Sequence, residues 1–286
     1  MHTPVMLAES QEYLAVRPDG IYVDSTAGLG GHAGAIARRL TTGVVIACDR
    51  DAESLTLAKQ NAADAGERIQ WVQTRFSELE SALSRAGFSR VDGLLADLGV
   101  SRHQLTEPER GFSLQADGPL DMRMDRGQES TAADVVNFTA EKALADLIYQ
   151  LGEERRSRQI ARAIVRARPI QSTLHLAKVI ERAAPRTSRL HPATQTFMAL
   201  RMAVNGEQEE LDALLAAIPR LVGSGGRAVV LTFMSLEDRK VKQSFQALAK
   251  DQRAVLINRH VVRPTDAEVR SNPPSRSAKL RALEML

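Results

Sequence analysis

Three aspartates and a glycine-rich turn at the ends of predicted strands are the residues best placed to do chemistry in this sequence. Asp24 ends the first predicted strand, and the turn Gly28-Leu29-Gly30-Gly31-His32 follows it. A glycine-rich turn between a strand and a helix lets a ligand approach the backbone closely. Asp49 ends the second strand, 21 residues after Gly28, where a carboxylate can bind ribose hydroxyl groups. The pattern predicts a site for a ribose-containing cofactor.

The turn leaves two cofactor classes open, and the acidic residue before it favours one of them. Gly28-x-Gly30-x-x-Ala33 also passes as a dinucleotide fingerprint, which would indicate NAD. Dinucleotide turns usually place the first glycine directly after the strand, whereas Asp24 and three further residues intervene here. A carboxylate in this loop can face the cationic amino group of S-adenosylmethionine, but it would repel a pyrophosphate. The sulfonium cofactor is therefore favoured over NAD.

Two further residues belong to the same predicted edge of the sheet. Phe76 follows the third predicted strand, where its ring can pack against an adenine, and Asp97 ends the fourth strand. Open parallel sheets bind ligands at this carboxyl edge. The alternative is that Asp24, Asp49 and Asp97 only cap helices. His32 likewise either contacts the cofactor or is a surface histidine at a helix start, and no pair of histidines has metal-ligand spacing.

The single cysteine restricts the methyl-transfer chemistry that is available. Methylation of carbon 5 of a pyrimidine needs a cysteine that attacks the ring. Cys48 lies within the second predicted strand and is expected to pack in the core. An exocyclic amine or a hydroxyl needs no covalent intermediate, because its lone pair can attack an in-line methyl group directly. One cysteine also excludes an internal disulfide and a cysteine-rich zinc site.

The order of the predicted elements indicates an α/β fold with a parallel, doubly wound sheet. Short apolar runs alternate with helical patterns over the first hundred residues, the alternation stops between Thr106 and His191, and it resumes after Pro192. The interruption predicts an inserted all-helical domain. The predicted organisation is a first part of the sheet domain over 1–108, the helical insertion over 109–191 and a second part of the sheet domain over 192–286.

The individual elements are predicted from the period of their apolar residues. Predicted strands are Ile21–Ser25, Val44–Cys48, Ile69–Gln73, Val91–Asp97, Arg227–Phe233, Ala254–Val262 and Lys279–Met285. Predicted helices are His32–Leu40, Ala52–Ala65, Phe76–Ala86, Ala132–Phe138, Thr139–Leu151, Glu153–Arg168, Leu174–Ala184, Glu207–Leu221 and one opened by a capping box at Ser235-Leu236-Glu237-Asp238.

Positive charge is concentrated in the predicted helical insertion. The chain has a net charge of +3, whereas the segment 150–191 alone has ten Arg or Lys and three Glu. Arginine suits phosphate geometry, so an arginine stripe on one helix face predicts a docking surface for RNA phosphates. A solvated helix face is the alternative. The stripe, on the predicted helix 153–168, consists of Arg155, Arg158, Arg162 and Arg166.

Composition indicates a globular protein. Apolar residues make up 43% of the chain and charged residues 26%. The N-terminus lacks the basic stretch and apolar run of a signal peptide, and no stretch approaches the roughly 18–20 apolar residues of a membrane span. A cytoplasmic protein without a membrane partner is expected.

Beyond these features, the chain resembles the bacterial small-subunit ribosomal RNA cytosine-N(4) methyltransferases of the MraW type over nearly its whole length. The most specific strings are Glu109-Arg110-Gly111-Phe112-Ser113 and Asp117-Gly118-Pro119-Leu120-Asp121-Met122-Arg123-Met124-Asp125. The others are His2-Thr3-Pro4-Val5-Met6-Leu7, Arg17-Pro18-Asp19-Gly20, Gly30-Gly31-His32, Asp49-Arg50-Asp51, Asp97-Leu98-Gly99-Val100-Ser101, Gly152-Glu153-Glu154-Arg155, His191-Pro192-Ala193-Thr194, Ser235-Leu236-Glu237-Asp238-Arg239 and Asn272-Pro273-Pro274-Ser275-Arg276-Ser277.

The resemblance implies a class I, Rossmann-like methyltransferase domain with an inserted helical domain. It implies methylation of the amino group of a cytosine in the decoding region of 16S ribosomal RNA, so the expected partner is that RNA or the small ribosomal subunit. Asp97 is the expected catalytic residue, which would orient the target nitrogen, and no metal is expected. Matched position by position, the contacts of S-adenosylmethionine fall on Gly30, Gly31, His32, Asp49, Phe76, Asp97 and Gln104.

The chain departs from the family pattern at several positions. Met234 stands where a histidine is usual, Arg102-His103 where Ser-Pro is usual, and Leu151 where a tyrosine is common. Asp97 is followed by Leu98-Gly99 rather than the Pro-Pro common in amino methyltransferases. A non-catalytic RNA-binding or ribosome-assembly protein is therefore an alternative to the enzyme, beside the NAD-linked oxidoreductase.

Overall fold

The computed structural model describes residues 4–185 and 191–286. It divides into two compact units: Met1–Gly99 together with Gln208–Leu286 form the first, and Val100–Glu207 form the second. The helical insertion predicted over 109–191 falls within the second unit. The domain boundaries themselves stay predictions.

The first unit is built on a seven-stranded sheet in the order β3-β2-β1-β4-β5-β7-β6. Strands β1 to β5 pair in parallel, and β7 lies antiparallel between β5 and β6. The dinucleotide-binding order 3-2-1-4-5-6 lacks this inserted antiparallel strand. The predicted α/β class is confirmed. The strands are β1 Ile21–Asp24, β2 Val44–Asp49, β3 Ile69–Gln73, β4 Val91–Asp97, β5 Val222–Thr232, β6 Ala254–Leu256 and β7 Lys279–Met285.

Helices cover both faces of the sheet, so the central strands are apolar on both sides. Strand β4 shows this best, since five of its seven residues are buried, four of them consecutively. One apolar cluster includes Val23, Ile46 and Leu94, and the other includes Tyr22, Val45 and Leu95. The helices of this unit are α1 Leu7–Leu14, α2 Gly31–Ala37, α3 Ala52–Asn61, α4 Leu79–Arg85, and, after the second unit, α11 Glu207–Leu221, α12 Ser235–Lys250 and α13 Asp266–Ser271.

The second unit is helical, and its described residues contain no strand. One apolar cluster forms its core, with Leu144, Ile160 and Leu176 among the fully buried members. The helices are α5 Arg102–Thr106, α6 Ala132–Phe138, α7 Glu141–Gly152, α8 Ser157–Arg166, α9 Thr173–Ala183 and α10 Thr194–Asn205. The all-helical character of the predicted insertion is thereby confirmed.

The sequence prediction missed two helices of the second unit and misplaced the start of a third. Helix α5 and helix α10, which packs against α7, were not predicted. Helix α8 begins at Ser157 rather than at the predicted Glu153. Glu153 takes a left-handed conformation that ends α7. The buried Glu154 side chain accepts a hydrogen bond from the Arg156 amide at 2.8 Å. Arg155 therefore precedes the helix, and only three arginines of the predicted stripe share its face.

Two expectations for the closing elements of the sheet also need correction. The predicted strand Ala254–Val262 is only three residues long, and Val262 forms an isolated bridge to Leu280. At the start of α12, Glu237 rather than Asp238 caps the helix, since its carboxylate accepts hydrogen bonds from the Phe233 and Met234 amides.

Candidate active site

The loop after β1 is hydrogen-bonded to both neighbouring strands, β2 and β4. The Ala27 amide donates to the Cys48 carbonyl oxygen of β2 at 2.8 Å. On the other side, Thr26 Oγ1 accepts a hydrogen bond from the Asp97 amide of β4 at 2.6 Å. Sequence reasoning missed Thr26, whose only signal was a hydroxyl residue two positions after a strand-ending aspartate. These bonds hold the turn at the carboxyl edge of the sheet, as predicted for a ligand site.

Close packing explains the glycines at the start of α2. Gly30 has a φ of +84°, and a Cβ atom there would lie 3.0 Å from the Ala58 carbonyl oxygen of α3. A Cβ atom on Gly31 would lie 2.3 Å from Cγ of Pro4. Any side chain at either position would therefore displace a neighbour. Both glycines have this structural role in addition to the predicted one of allowing a ligand close to the backbone.

Asp49 ends β2 and faces the glycine turn. Its Oδ2 accepts a hydrogen bond from the Gly28 amide at 2.8 Å, and its Oδ1 accepts one from the Asp51 amide at 2.9 Å. A carboxylate offers about four lone-pair positions, so two remain for further donors such as ribose hydroxyls. Removal from water raises the pKa of Asp49 to about 6, although the two amide bonds counteract part of that rise.

Three ionisable side chains form a cluster beside the turn. Asp24 is fully buried, and its Oδ1 accepts a hydrogen bond from the Thr26 amide at 3.1 Å. His32 is 5% exposed, so the alternative of a surface histidine is wrong. Its Nε2 lies 3.7 Å from Asp97 Oδ2, which is too long for a direct hydrogen bond but close enough for attraction. The structure thus brings His32 and Asp97 together, as two members of the predicted site.

The electrostatics of this cluster favour a cationic ligand. Burial raises the pKa of Asp24 to about 6. Burial lowers the pKa of His32, but the negative charges of Asp97 and Asp24 outweigh it, and the net shift is upward. Asp24 Oδ2, His32 Nε2 and Asp97 Oδ1 are buried without a hydrogen-bond partner in the described part of the chain. Buried polar atoms seldom stay unpaired in folded proteins, so these atoms are available to a bound ligand.

S-adenosylmethionine fits these residues. It has an ammonium group and a sulfonium, which complement the carboxylates of Asp24 and Asp97, and a ribose that can donate to Asp49. A pyrophosphate beside the same carboxylates would be repelled. The charges and hydrogen-bond acceptors of these residues therefore fit the sulfonium cofactor better than they fit NAD.

Phe76 and Gln104 occupy different surroundings. Phe76 opens a short 3-10 helix after β3, and its partly buried ring packs against the apolar cluster that includes Val23 and Leu94. Gln104 belongs to the second unit, where it lies on α5 and is 3% exposed. Its Oε1 accepts a hydrogen bond from the Ser101 amide at 2.9 Å, while Ser101 Oγ accepts one from the Gln104 amide at 3.2 Å. Gln104 thus has a local capping role, and the other six predicted cofactor residues all lie in the first unit.

Cys48 is unsuited to nucleophilic catalysis. Its side chain is 1% exposed within β2, and burial raises the pKa of its thiol far above the ordinary value. A thiol is nucleophilic only as the thiolate, so Cys48 packs in the core as expected. Within residues 4–185 and 191–286, no group of three or more His, Cys, Asp or Glu side chains is placed to hold a metal ion. None of the described helices is long and apolar enough to cross a membrane.

Comparison with known proteins identifies the family. The family model described as the MraW methylase family matches residues 1–286. A curated ribosomal RNA small subunit methyltransferase H from Solibacter usitatus is 63% identical, with 100% of each chain covered. Proteins of the same name from Syntrophobacter fumaroxidans and Acidobacterium capsulatum are 47% and 49% identical; 99% of this chain is covered in both cases, and 96% and 98% of theirs. This chain therefore belongs to the MraW methylase family.

Proposed function

We propose that this protein transfers a methyl group from S-adenosylmethionine to the exocyclic amino group of a cytosine in the decoding region of 16S ribosomal RNA. Full-length identity to proteins named ribosomal RNA small subunit methyltransferase H supports the substrate. The chemistry is carried by one observation, the cluster of Asp24, His32 and Asp97 at the carboxyl edge of the sheet with its unpaired buried atoms. The cytoplasm is the proposed compartment.

Asp49 and the turn after β1 hold the cofactor in this proposal. The two lone-pair positions left on the Asp49 carboxylate accept the ribose hydroxyls, while the Gly28 amide fixes the carboxylate in place. The Gly28–Gly31 turn would bind the methionine part, and the negative charge of Asp24 would attract its ammonium group. Gly30, Gly31, His32, Phe76, Asp97 and Gln104 complete the proposed set of cofactor contacts.

Asp97 is proposed to act on the target nitrogen. A cytosine amino nitrogen is a poor nucleophile because its lone pair is delocalised into the ring. Asp97 Oδ1, which has no hydrogen-bond partner in the described residues, can accept one N–H bond of that amino group. The bond favours a pyramidal nitrogen whose lone pair is free and in line with the methyl group.

Charge balance follows from the same geometry. When bound, S-adenosylmethionine would supply an electrophilic methyl group, and its sulfur would keep the electron pair of the broken C–S bond. The Asp97 carboxylate would accept the proton that the amino nitrogen must lose on methylation. His32, 3.7 Å from Asp97 Oδ2, stabilises the carboxylate before that proton arrives. No residue forms a covalent bond to the base, in agreement with the buried Cys48.

The second unit is proposed to dock the RNA. Arg158, Arg162 and Arg166 are exposed on one face of α8, opposite its buried side with Ile160 and Ile164. The two intervals of four residues extend over about 12 Å, enough to follow successive phosphates of a strand. The target base must leave its stack to reach the sheet edge, which favours an unpaired or loosely paired site.

Methyl transfer from labelled S-adenosylmethionine to small-subunit RNA and to small-subunit particles tests the proposal. Incorporation that is lost in Asp97→Ala but retained in Cys48→Ala supports it. RNA binding without incorporation would instead favour the assembly protein. Calorimetry showing tight binding of NAD and none of the sulfonium cofactor would favour the oxidoreductase.

A further inference from the structure

Phe138 is an aromatic side chain that the fold leaves in water. It is the last residue of α6, and 81% of its surface is exposed, more than for any other large apolar side chain in the described residues. Burial of a phenylalanine side chain normally stabilises a protein, because it removes a large apolar surface from water. Aromatic residues make up only 4% of this chain, and the core gains no stability from one that is exposed to solvent.

The backbone around Phe138 is held firmly on both sides. Asn137 Oδ1 accepts a hydrogen bond from the Ile170 amide at 2.8 Å, and its Nδ2 donates to the Ile170 carbonyl oxygen at 3.1 Å. Arg168 donates from Nε to the Val136 carbonyl oxygen at 2.8 Å and from Nη2 to the Thr139 carbonyl oxygen. The ring therefore projects from a fixed position rather than from a fraying helix end.

Cationic side chains border this position. Arg162 Nε lies 3.5 Å from Glu141 Oε1, which places the middle of α8 beside the first residue of α7, three positions after Phe138. Arg168, just past the end of α8, bonds the carbonyl groups on either side of Phe138. Arg166 is exposed in the last turn of α8 and forms no ion pair with a described residue. An apolar ring and a basic helix end thus share one region of the second unit.

We propose that Phe138 is a stacking platform for an unpaired RNA base, with Arg162 and Arg166 binding the phosphates next to it. The proposal rests on the proposed function and adds a base contact in the second unit. Aromatic faces accept any base, and basic side chains beside them bind the backbone, which is the common arrangement in proteins that bind single strands. A duplex keeps its bases stacked internally and cannot use the ring.

Binding of a short unpaired RNA oligonucleotide by the full-length protein tests this contact, with anisotropy as the readout at several salt concentrations. Phe138→Ala should weaken binding about tenfold, or about 1.4 kcal/mol, within the range for base stacking on an aromatic ring. Phe138→Tyr should keep the affinity, whereas Phe138→Leu should lose most of it. The salt slope should stay unchanged in all three, since no charge is altered, and should fall by about 0.7 in Arg166→Ala.

Two controls make the result specific. Tyr149→Ala removes the other exposed aromatic of this unit, near the far end of α7, and should leave binding of the oligonucleotide unchanged. Binding of a duplex of the same length should not respond to Phe138→Ala. Thermal unfolding should be unaffected by either substitution, because both side chains are exposed.

Three affinity results would overturn the stacking platform while the wild-type protein still binds RNA. These are wild-type affinity in Phe138→Ala, wild-type affinity in Phe138→Leu, and equal weakening by Tyr149→Ala. A change of oligomeric state in Phe138→Ala, measured by sedimentation, would assign the ring to a second copy of this chain instead. Failure of the wild-type protein to bind RNA would overturn the proposed function as well. Methylation and RNA binding that are both unaffected by Phe138→Ala would overturn the platform alone.

Discussion

Replacing Asp24 by asparagine should stabilise the cofactor-free protein at neutral pH and weaken its binding of S-adenosylmethionine. Asp24 is fully buried, and its Oδ2 has no partner among the described residues. An ionised carboxylate in that position lacks water and is only partly compensated by the nearby His32 and the Thr26 amide. Asparagine keeps the shape and one acceptor but removes the charge.

The magnitude follows from the pKa of Asp24, which burial raises from 3.8 to about 6. A difference of about two pH units corresponds to about 3 kcal/mol, since each unit is worth 1.36 kcal/mol. Between the two values the folded protein binds more protons than the unfolded chain, so the free energy of unfolding falls as pH rises from about 4 to 6. Asp24→Asn should remove this loss and gain up to about 3 kcal/mol at pH 7.5. The smaller decline that remains should come from Asp49, whose pKa is raised to about 6 as well, and from His32, whose pKa Asp97 still holds above the ordinary value.

Urea unfolding at pH 4 and pH 7.5 measures the free energy of unfolding of the wild type and of the Asp24→Asn variant. Asp64→Asn is a suitable control, because Asp64 is exposed and its ion pair with Arg38 lowers the pKa of its carboxyl, the opposite direction. The Asp64→Asn variant should therefore gain no stability over the wild type at pH 7.5. An Asp24→Asn variant that is less stable than the wild type at pH 7.5, or that keeps the full pH dependence, would refute the electrostatic reasoning. Unchanged cofactor affinity would refute the role given to its charge.

The other predictions concern the remaining residues of the site and the RNA surface. Asp49→Ala should cost about 1–3 kcal/mol of S-adenosylmethionine affinity by calorimetry, because it removes charge-assisted bonds to the ribose; unchanged affinity would exclude Asp49 from the cofactor site. Asp97→Ala should lower the rate of methyl transfer about 10²–10⁴-fold, whereas Cys48→Ala should retain most of the wild-type rate. A large loss of rate in Cys48→Ala together with a near wild-type rate in Asp97→Ala would exclude the proposed mechanism. Arg162→Ala should lower the salt slope of RNA binding by about 0.7–0.9 without changing cofactor affinity, whereas Arg38→Ala should leave the slope unchanged.

The sheet and its polar edge could be predicted from sequence because each carries a local signal. Strands β3, β4 and β7 have the predicted bounds, since buried parallel strands are short apolar runs that polar or turn residues interrupt. The aspartates that end β1, β2 and β4 meet at one edge because parallel strands end on the same side.

Tertiary contacts explain what the sequence did not reveal. The proximity of His32 to Asp97 and the bond between Thr26 and the Asp97 amide join residues 65 and 71 positions apart, and no local pattern encodes them. Arg155 was placed on α8 because its spacing suits a helix, but the left-handed Glu153 and the buried Glu154 end the periodic pattern there. Helix α10 is stabilised by its packing against α7 rather than by a recognisable start signal, since its N-cap residue is Ala193.

Methyl transfer to the exocyclic nitrogen of a cytosine without covalent catalysis can be tested directly on the RNA product. Small-subunit RNA methylated by this protein with isotopically labelled S-adenosylmethionine can be digested to nucleosides and analysed by mass spectrometry. We expect all of the label in N4-methylcytidine, and we expect the same product from Cys48→Ala. Label in 5-methylcytidine, or an RNA–protein adduct trapped through Cys48, would contradict it.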